Sequence, residues 1–248
     1  MTSFGAPSTT VVTLKLAADQ DTYSVVHQLR AEGYNEVDYR RVMRSDAERP
    51  LDRLSWVALA SWRDGSRHVP FGSVRALPLR YFEPELAQVL PLSTYMDLID
   101  ELGDRRDRTV EVARVVSAAT VRNVPGVFVT LLGGLRFLVD QLHMDTVVSI
   151  CNLPLVGLYR AMGVEVFHEF DYLVPGTSRI EPSALMIVHV EDVVDHITAL
   201  VEGIEFSYDW PTELAAEPTC LWSPTPPGAR RDTPDDVIDL RRELANEQ

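Results

Sequence analysis

Apolar residues in this chain fall into short blocks, and the spacing inside each block predicts an element. Residues 11–16 are a β-rich run that reads as a strand, and Asp21 stands where it would cap a helix whose apolar positions Val25, Val26 and Leu29 share one face. Polar sequence follows from Gly33 to Pro50, with Arg40, Arg41 and Arg44 near Tyr34 and Tyr39. It predicts a loop or a loosely helical cover over a substrate. Runs at 55–62 and 71–77 flank a polar turn containing Gly65 and predict a hairpin, with Pro78 ending the second strand. After a mixed segment from 81 to 102, residues 109–119 form another strand, and Pro125 with Gly126 opens a long apolar helix to about His143. A strand at 145–151, a helix at 153–162, strands at 164–172 and 184–190, and a helix from Glu191 complete the pattern. This order predicts the α/β class: one mixed sheet with helices on both faces.

The pattern also sets boundaries. Residues 1–10 read as a mobile leader and 11–205 as a single domain. From Phe206 onward Pro, Trp and charged residues replace the periodic blocks, so 206–248 is expected to be an extension, partly helical or disordered. A chain of 248 residues is long enough for one substantial core plus such an appendage.

Charge and composition narrow the function classes. A net charge of -14 repels nucleic acid and anionic membrane, and no basic stripe interleaved with aromatics offsets it. No apolar run approaches the length of a membrane span, and a soluble, cytoplasmic protein is expected. Cys151 and Cys220 are the only cysteines, the first at the end of a buried strand, where a reduced thiol is the commoner state. The six histidines are scattered without metal-ligand spacing, so no metal is expected.

Residues 147–165 run from a buried strand through Asn152 into a short helix carrying Tyr159, then stop at Gly163. This stretch resembles the last conserved unit of the GNAT superfamily of acyltransferases. Three upstream stretches resemble one branch of it, the acyl-homoserine lactone synthases and the related N-acyl amino acid synthases. They are Leu29 to Tyr34 with Arg30, Phe71 to Pro78 with Arg75, and Val110 to Val115 with Glu111 and Arg114. The resemblance covers roughly residues 20–172.

The resemblance implies a GNAT-like, mostly antiparallel twisted sheet in which the strands at 110–118 and 146–150 splay apart to receive a pantetheine arm. Val115, Val116, Ser117 and Asn152 would line that arm, and Arg122, Gly126 and Val127 would receive the donor phosphates at a helix N-terminus. Asn152 has a second reading, as the cap of the helix that follows. Two departures stand out. The phosphate turn lacks its first glycine and ends in Val127, and the acidic stretch expected after the first motif is absent, with only Asp52 placed like a family aspartate. Recognition of homoserine lactone precursors is therefore not implied.

The expected activity is N-acylation of an amino-acid-like amine by an acyl thioester of coenzyme A or of an acyl carrier protein, with a medium or long chain favoured by the branch. Glu111 is the candidate base for the acceptor ammonium, or else the structural partner of Arg75. Arg30, Tyr34, Arg75 and Arg114 are the candidate acceptor-binding residues. Tyr159 is the candidate hydrogen-bond donor to the departing sulfur, or else a core tyrosine; phenol and thiol reference pKa values make full proton transfer uphill by about 2 kcal/mol. Arg105, Arg106 and Arg108 form either a carrier-protein patch or a solvated loop with Asp104 and Asp107. Two rival readings are a short-chain acetyltransferase and a non-catalytic thioester-binding or protein-binding module on an eroded fold.

Overall fold

The computed structural model describes residues 10–33, 51–52, 54–64, 66–79, 85–118, 126–161, 163–173, 180–200 and 204–209. Eight strands form one sheet: β1 (Thr10–Leu16), β2 (Trp56–Asp64), β3 (Arg67–Pro78), β4 (Thr109–Ser117), β5 (Thr146–Asn152), β6 (Glu165–Leu173), β7 (Ile180–His189) and β8 (Ile204–Asp209). Their order across the sheet is β6-β7-β5-β4-β3-β2-β1-β8. Neighbours are antiparallel except β4 with β5 and β1 with β8, which are parallel. The strand expected from each apolar block is present. β8 is an addition: it carries the sheet past residue 205, into the segment expected to be an extension, because Phe206 and Tyr208 gain an apolar face by pairing alongside β1.

Among the described residues, six helices flank the sheet: α1 (Gln20–Gly33), α2 (Glu85–Val89), α3 (Leu92–Leu102), α4 (Gly126–Leu142), α5 (Leu153–Arg160) and α6 (Val190–Leu200). Strand alternation sorts them. Trp56, Ala58 and Ala60 of β2 pack in one core cluster with Leu131, Leu135 and Leu138 of α4 and Val190 and Val193 of α6. The intervening Val57 and Leu59 face the other way, onto Tyr23, Val26 and Leu29 of α1. Further along that second face, Leu98 and Leu102 of α3 meet Val148 and Leu185. Helices thus cover both faces, as the block order predicts.

Two local details differ from the expectation. The cap of α1 is Asp19, whose Oδ1 accepts from the Thr22 backbone N–H at 2.6 Å, while Asp21 lies inside the first turn. The mixed segment at 81–102 contains α2 and α3, which bury Leu86, Leu98 and Leu102. The Gly133-Gly134 pair inside α4 has a packing cause at its first position: a Cβ on Gly133 would stand 2.7 Å from Leu14 Cδ1 and 2.8 Å from Phe206 Cε1. Among the described residues, no helix is long and apolar enough to cross a membrane.

Candidate active site

β4 and β5 run side by side for only three residue pairs, Thr109↔Thr146, Val110↔Val147 and Glu111↔Val148. Beyond these β4 remains paired to β3 as far as Ser117, and β5 to β7 as far as Asn152, while their facing edges part. At the apex, Ser149 Oγ donates to the Val112 carbonyl at 2.8 Å, a side-chain link where the ladder stops. The result is a wedge between two strand edges in the middle of the sheet. Such edges can pair with an extended ligand that carries amides of its own.

A second irregularity lies on β4 itself. From Ser73 to Arg75 the register advances two residues on β3, whereas on β4 it advances three, from Val116 to Ala113. Arg114 sits in this bulge with φ at +54°. For a residue with a Cβ that backbone costs on the order of 1–3 kcal/mol, and bulges of this kind re-aim the side chains around them. Strict alternation from Val112 would turn Val116 toward α4; instead Val116 packs against α1. The bulge that the pairing of Glu111 with Arg114 in one site requires is therefore present.

Charged side chains concentrate on the α1 face of the sheet. Arg30, Asp52, Arg75 and Glu111 are 0, 1, 0 and 3% exposed. They come from the last turn of α1, the residues before β2, the middle of β3 and the start of β4. Arg30 Nη1 donates to Asp52 Oδ2 at 2.6 Å, Tyr23 Oη hydrogen-bonds the same oxygen, and Arg75 Nη1 lies 3.6 Å from Oδ1. Burial alone would raise the Asp52 pKa, yet the two guanidinium charges and the hydrogen bonds from Arg30 and Tyr23 outweigh it and hold the carboxyl below its ordinary range. Arg75 shares its face with Glu111, since Arg75 pairs with Ala113 and Leu77 with Glu111. Glu111 Oε2 accepts from the Leu86 backbone N–H of α2 at 3.4 Å.

The other candidates take varied positions. Val115 packs partly against the α4 core, Val116 and Ser117 are buried, and all three lie on β4 beyond the last β4–β5 pair. Gly126 and Val127 form the start of α4. Asn152 is at the N-cap position of α5 but makes no side-chain cap bond, so the capping role expected for its amide is not realised. Tyr159 is half-buried on α5 and packs against the core, and its carbonyl accepts from the Val164 N–H at 3.1 Å. Tyr34 and Arg122 lie outside the described residues. Cys151, whose thiol burial pushes up to about 11, faces Met186 in the core.

Arg105 and Arg108 are exposed in a short 3-10 turn before β4, at the end of the strand where β4 and β5 are still paired. Arg108 pairs with Asp145 at 2.6 Å and Arg105 with His189 at 2.9 Å. At about 3.3 Å per residue, the length of β4 separates them by roughly 26 Å from the open end of the wedge. Sequence reasoning passed over Tyr23 and Ser149 and gave Asp52 only a family placement. Nothing in local periodicity marks any of the three, because their partners are 22 to 37 residues away in the chain.

A scan against protein-family profiles finds no match, and a search of curated proteins finds none either. Solved structures do match. A coenzyme A-dependent acyl-homoserine lactone synthase, BjaI, solved with SAM and isopentyl-CoA, is 14% identical, with 83% of this chain and 98% of that one covered at a TM-score of 0.52. A second such synthase, MesI, is 14% identical over 77% of this chain and 94% of its own, at 0.50. Spermidine N-acetyltransferase from Vibrio cholerae, solved with CoA and spermine, is 11% identical over 74% and 98%, also at 0.50. At these identities the likeness is one of fold. The chain has the GNAT fold, with the mixed, mostly antiparallel eight-stranded sheet and the parted central strands on one backbone.

Proposed function

We propose that this chain is an N-acyltransferase that moves an acyl group, of medium or long chain, from a coenzyme A or carrier-protein thioester to the amine of an amino-acid-like acceptor. The observation that carries the reading is the parting of β4 from β5 immediately after Glu111↔Val148, beside a strand bulge at Arg114. The solved neighbours that use CoA or an acyl-CoA support a thioester donor.

In this reading the pantetheine lies in the wedge along Val115, Val116 and Ser117, with the Asn152 amide, left without a cap bond, on its other side. Arg122 and the first turn of α4, with Gly126 and Val127, receive the phosphates, since free N–H groups at a helix start favour an anion. Glu111 takes a proton from the acceptor ammonium, directly or through water. The freed amine attacks the thioester carbonyl and a C–N bond forms; the C–S bond then breaks, the extra proton left on the nitrogen passes to the departing thiolate, and the Tyr159 hydroxyl donates a hydrogen bond to that sulfur as it leaves. Arg114 and Tyr34 contact the acceptor. Arg30 and Arg75, buried and turned to Asp52, hold the floor under Glu111 and so act as positioning residues rather than as open contacts.

Free-thiol release measured across acetyl-, butanoyl-, octanoyl- and dodecanoyl-CoA with a panel of amino acids and simple amines tests the assignment. Turnover with octanoyl- or dodecanoyl-CoA is expected. Turnover with acetyl-CoA alone would replace it by the short-chain reading, and binding without turnover by the non-catalytic one.

A further inference from the structure

Val112, Ala76 and Trp56 lie in one row across three strands, because Ala76 pairs with Val112 on β4 and with Trp56 on β2. All three belong to the core cluster on the α4 face. Beneath the row, between the strands and α4, runs a narrow cavity with about 20 Å³ in which the centre of a water-sized group can sit. Small residues keep it open: Ala58 and Ala76 on the sheet, and Gly134 on α4, where a Cβ would stand 3.3 Å from Val74 Cγ1. Strands spaced about 4.8 Å apart make the row roughly 10 Å long. It starts at Val112, the first residue of β4 past its last pair with β5, and ends at Trp56.

Trp56 is 2% exposed, and its indole Nε1 has no hydrogen-bond partner. The other side chains on the cavity wall are hydrocarbon. A buried N–H left without an acceptor loses the hydrogen bond that water gave it and destabilises the fold. A water molecule would relieve that only if it found two or more polar partners, and these walls offer a single donor. A ligand oxygen attached to a hydrocarbon chain suits the site better, since it needs one donor and brings its own apolar stem.

We propose that the donor's acyl chain leaves the wedge at Val112, runs along this row beneath β3, and presents an oxygen, keto or hydroxyl, to the indole N–H of Trp56. The inference rests on the acyl-transfer reading and deepens it by naming the donor as an oxygenated medium-chain thioester. With bonds of about 1.5 Å, an extended chain advances about 1.3 Å per carbon, so a 10 Å row places the oxygen roughly seven or eight carbons from the start. Trp56 then sets both the length of the acyl group and its polarity.

The test compares octanoyl-, 7-oxooctanoyl- and 8-hydroxyoctanoyl-CoA with the full chain, by thiol release and by calorimetric binding. An oxygenated donor is expected to exceed octanoyl-CoA by at least tenfold in kcat/KM or affinity, and W56F, which removes only the N–H donor and one ring, should bring the three within about threefold of one another. Preference that is absent in the natural chain, or that survives in W56F, overturns the proposal. Should W56F fail to fold, G134A serves instead: narrowing the bore must disfavour all three eight-carbon donors against butanoyl-CoA by tenfold or more, and an unchanged ratio overturns the proposal. Binding that follows Trp56 without turnover for any amine would remove the transferase reading and keep the acyl site. No binding of any of the three would remove both.

Discussion

Arg30 Nη1 donates to Asp52 Oδ2 at 2.6 Å, with both side chains closed off from solvent. Helix α1 is thereby tied to the strand pair β2–β3 through a charge that Arg75 also faces. Two buried guanidinium groups around one carboxylate, with Glu111 on the same sheet face, make the floor of the site an ionic layer instead of a hydrocarbon one. Removing one member leaves charge without its counter-charge.

Asp52→Asn should therefore destabilise the fold by about 3–5 kcal/mol, the range found when one partner of a buried pair is removed. Urea unfolding at pH 7 measures it. A loss below 1 kcal/mol would mean that water reaches these groups.

The same carboxyl governs part of the acid response. Its folded pKa lies below its ordinary value, so its contribution is present above the unfolded pKa near 3.8 and is lost as pH falls through the folded value. Unfolding free energy should fall with pH below about 4 in the natural chain, and Asp52→Asn should flatten that limb relative to the natural chain. Parallel limbs would assign the acid sensitivity to other carboxylates.

Glu111→Gln should lower kcat at least tenfold while the thermal transition stays cooperative, because the amide keeps the shape and the Leu86 contact but cannot take a proton. Activity equal to that of the natural chain would strip Glu111 of its role and leave it a structural neighbour of Arg75.

Tyr159→Phe should reduce kcat several-fold with little change in KM, as expected for a group that meets charge only as the sulfur departs. If KM rises and kcat holds, the tyrosine contributes to donor binding and packing alone.

Gly133→Ala sets two effects against each other. Alanine favours the helix by about 1 kcal/mol, while its methyl would overlap Leu14 and Phe206 at 2.7 and 2.8 Å and cost about 1–3 kcal/mol in displaced packing. Net destabilisation of about 1 kcal/mol is expected in denaturant unfolding; a gain in stability would show that β8 yields easily.

Much of this was legible along the chain. Apolar blocks of period two and of helical spacing located the strands from β1 to β7 and most of the helices, since burying one face imposes the same spacing wherever the element ends up. The run through Asn152, Tyr159 and Gly163 announced strand, turn and helix, because a turn residue, a helical face and a glycine at φ +83° are local requirements. β8 was not legible: Ile204–Asp209 is an ordinary polar-apolar stretch that becomes a strand only because β1 offers an edge. The Asp19 cap escaped for a smaller reason, that two aspartates stand two residues apart and only backbone geometry selects between them.

Residue order alone thus determined the elements, their sequence and the chemical types available, because those depend on neighbours within a few positions. Tertiary structure decided what depends on distant strands: that β4 leaves β5 after Glu111, that Arg114 absorbs an extra residue, and that Arg30, Asp52 and Arg75 close around one charge. Register is a relation between strands, and a one-residue shift changes which face a side chain joins. No local pattern contains that information.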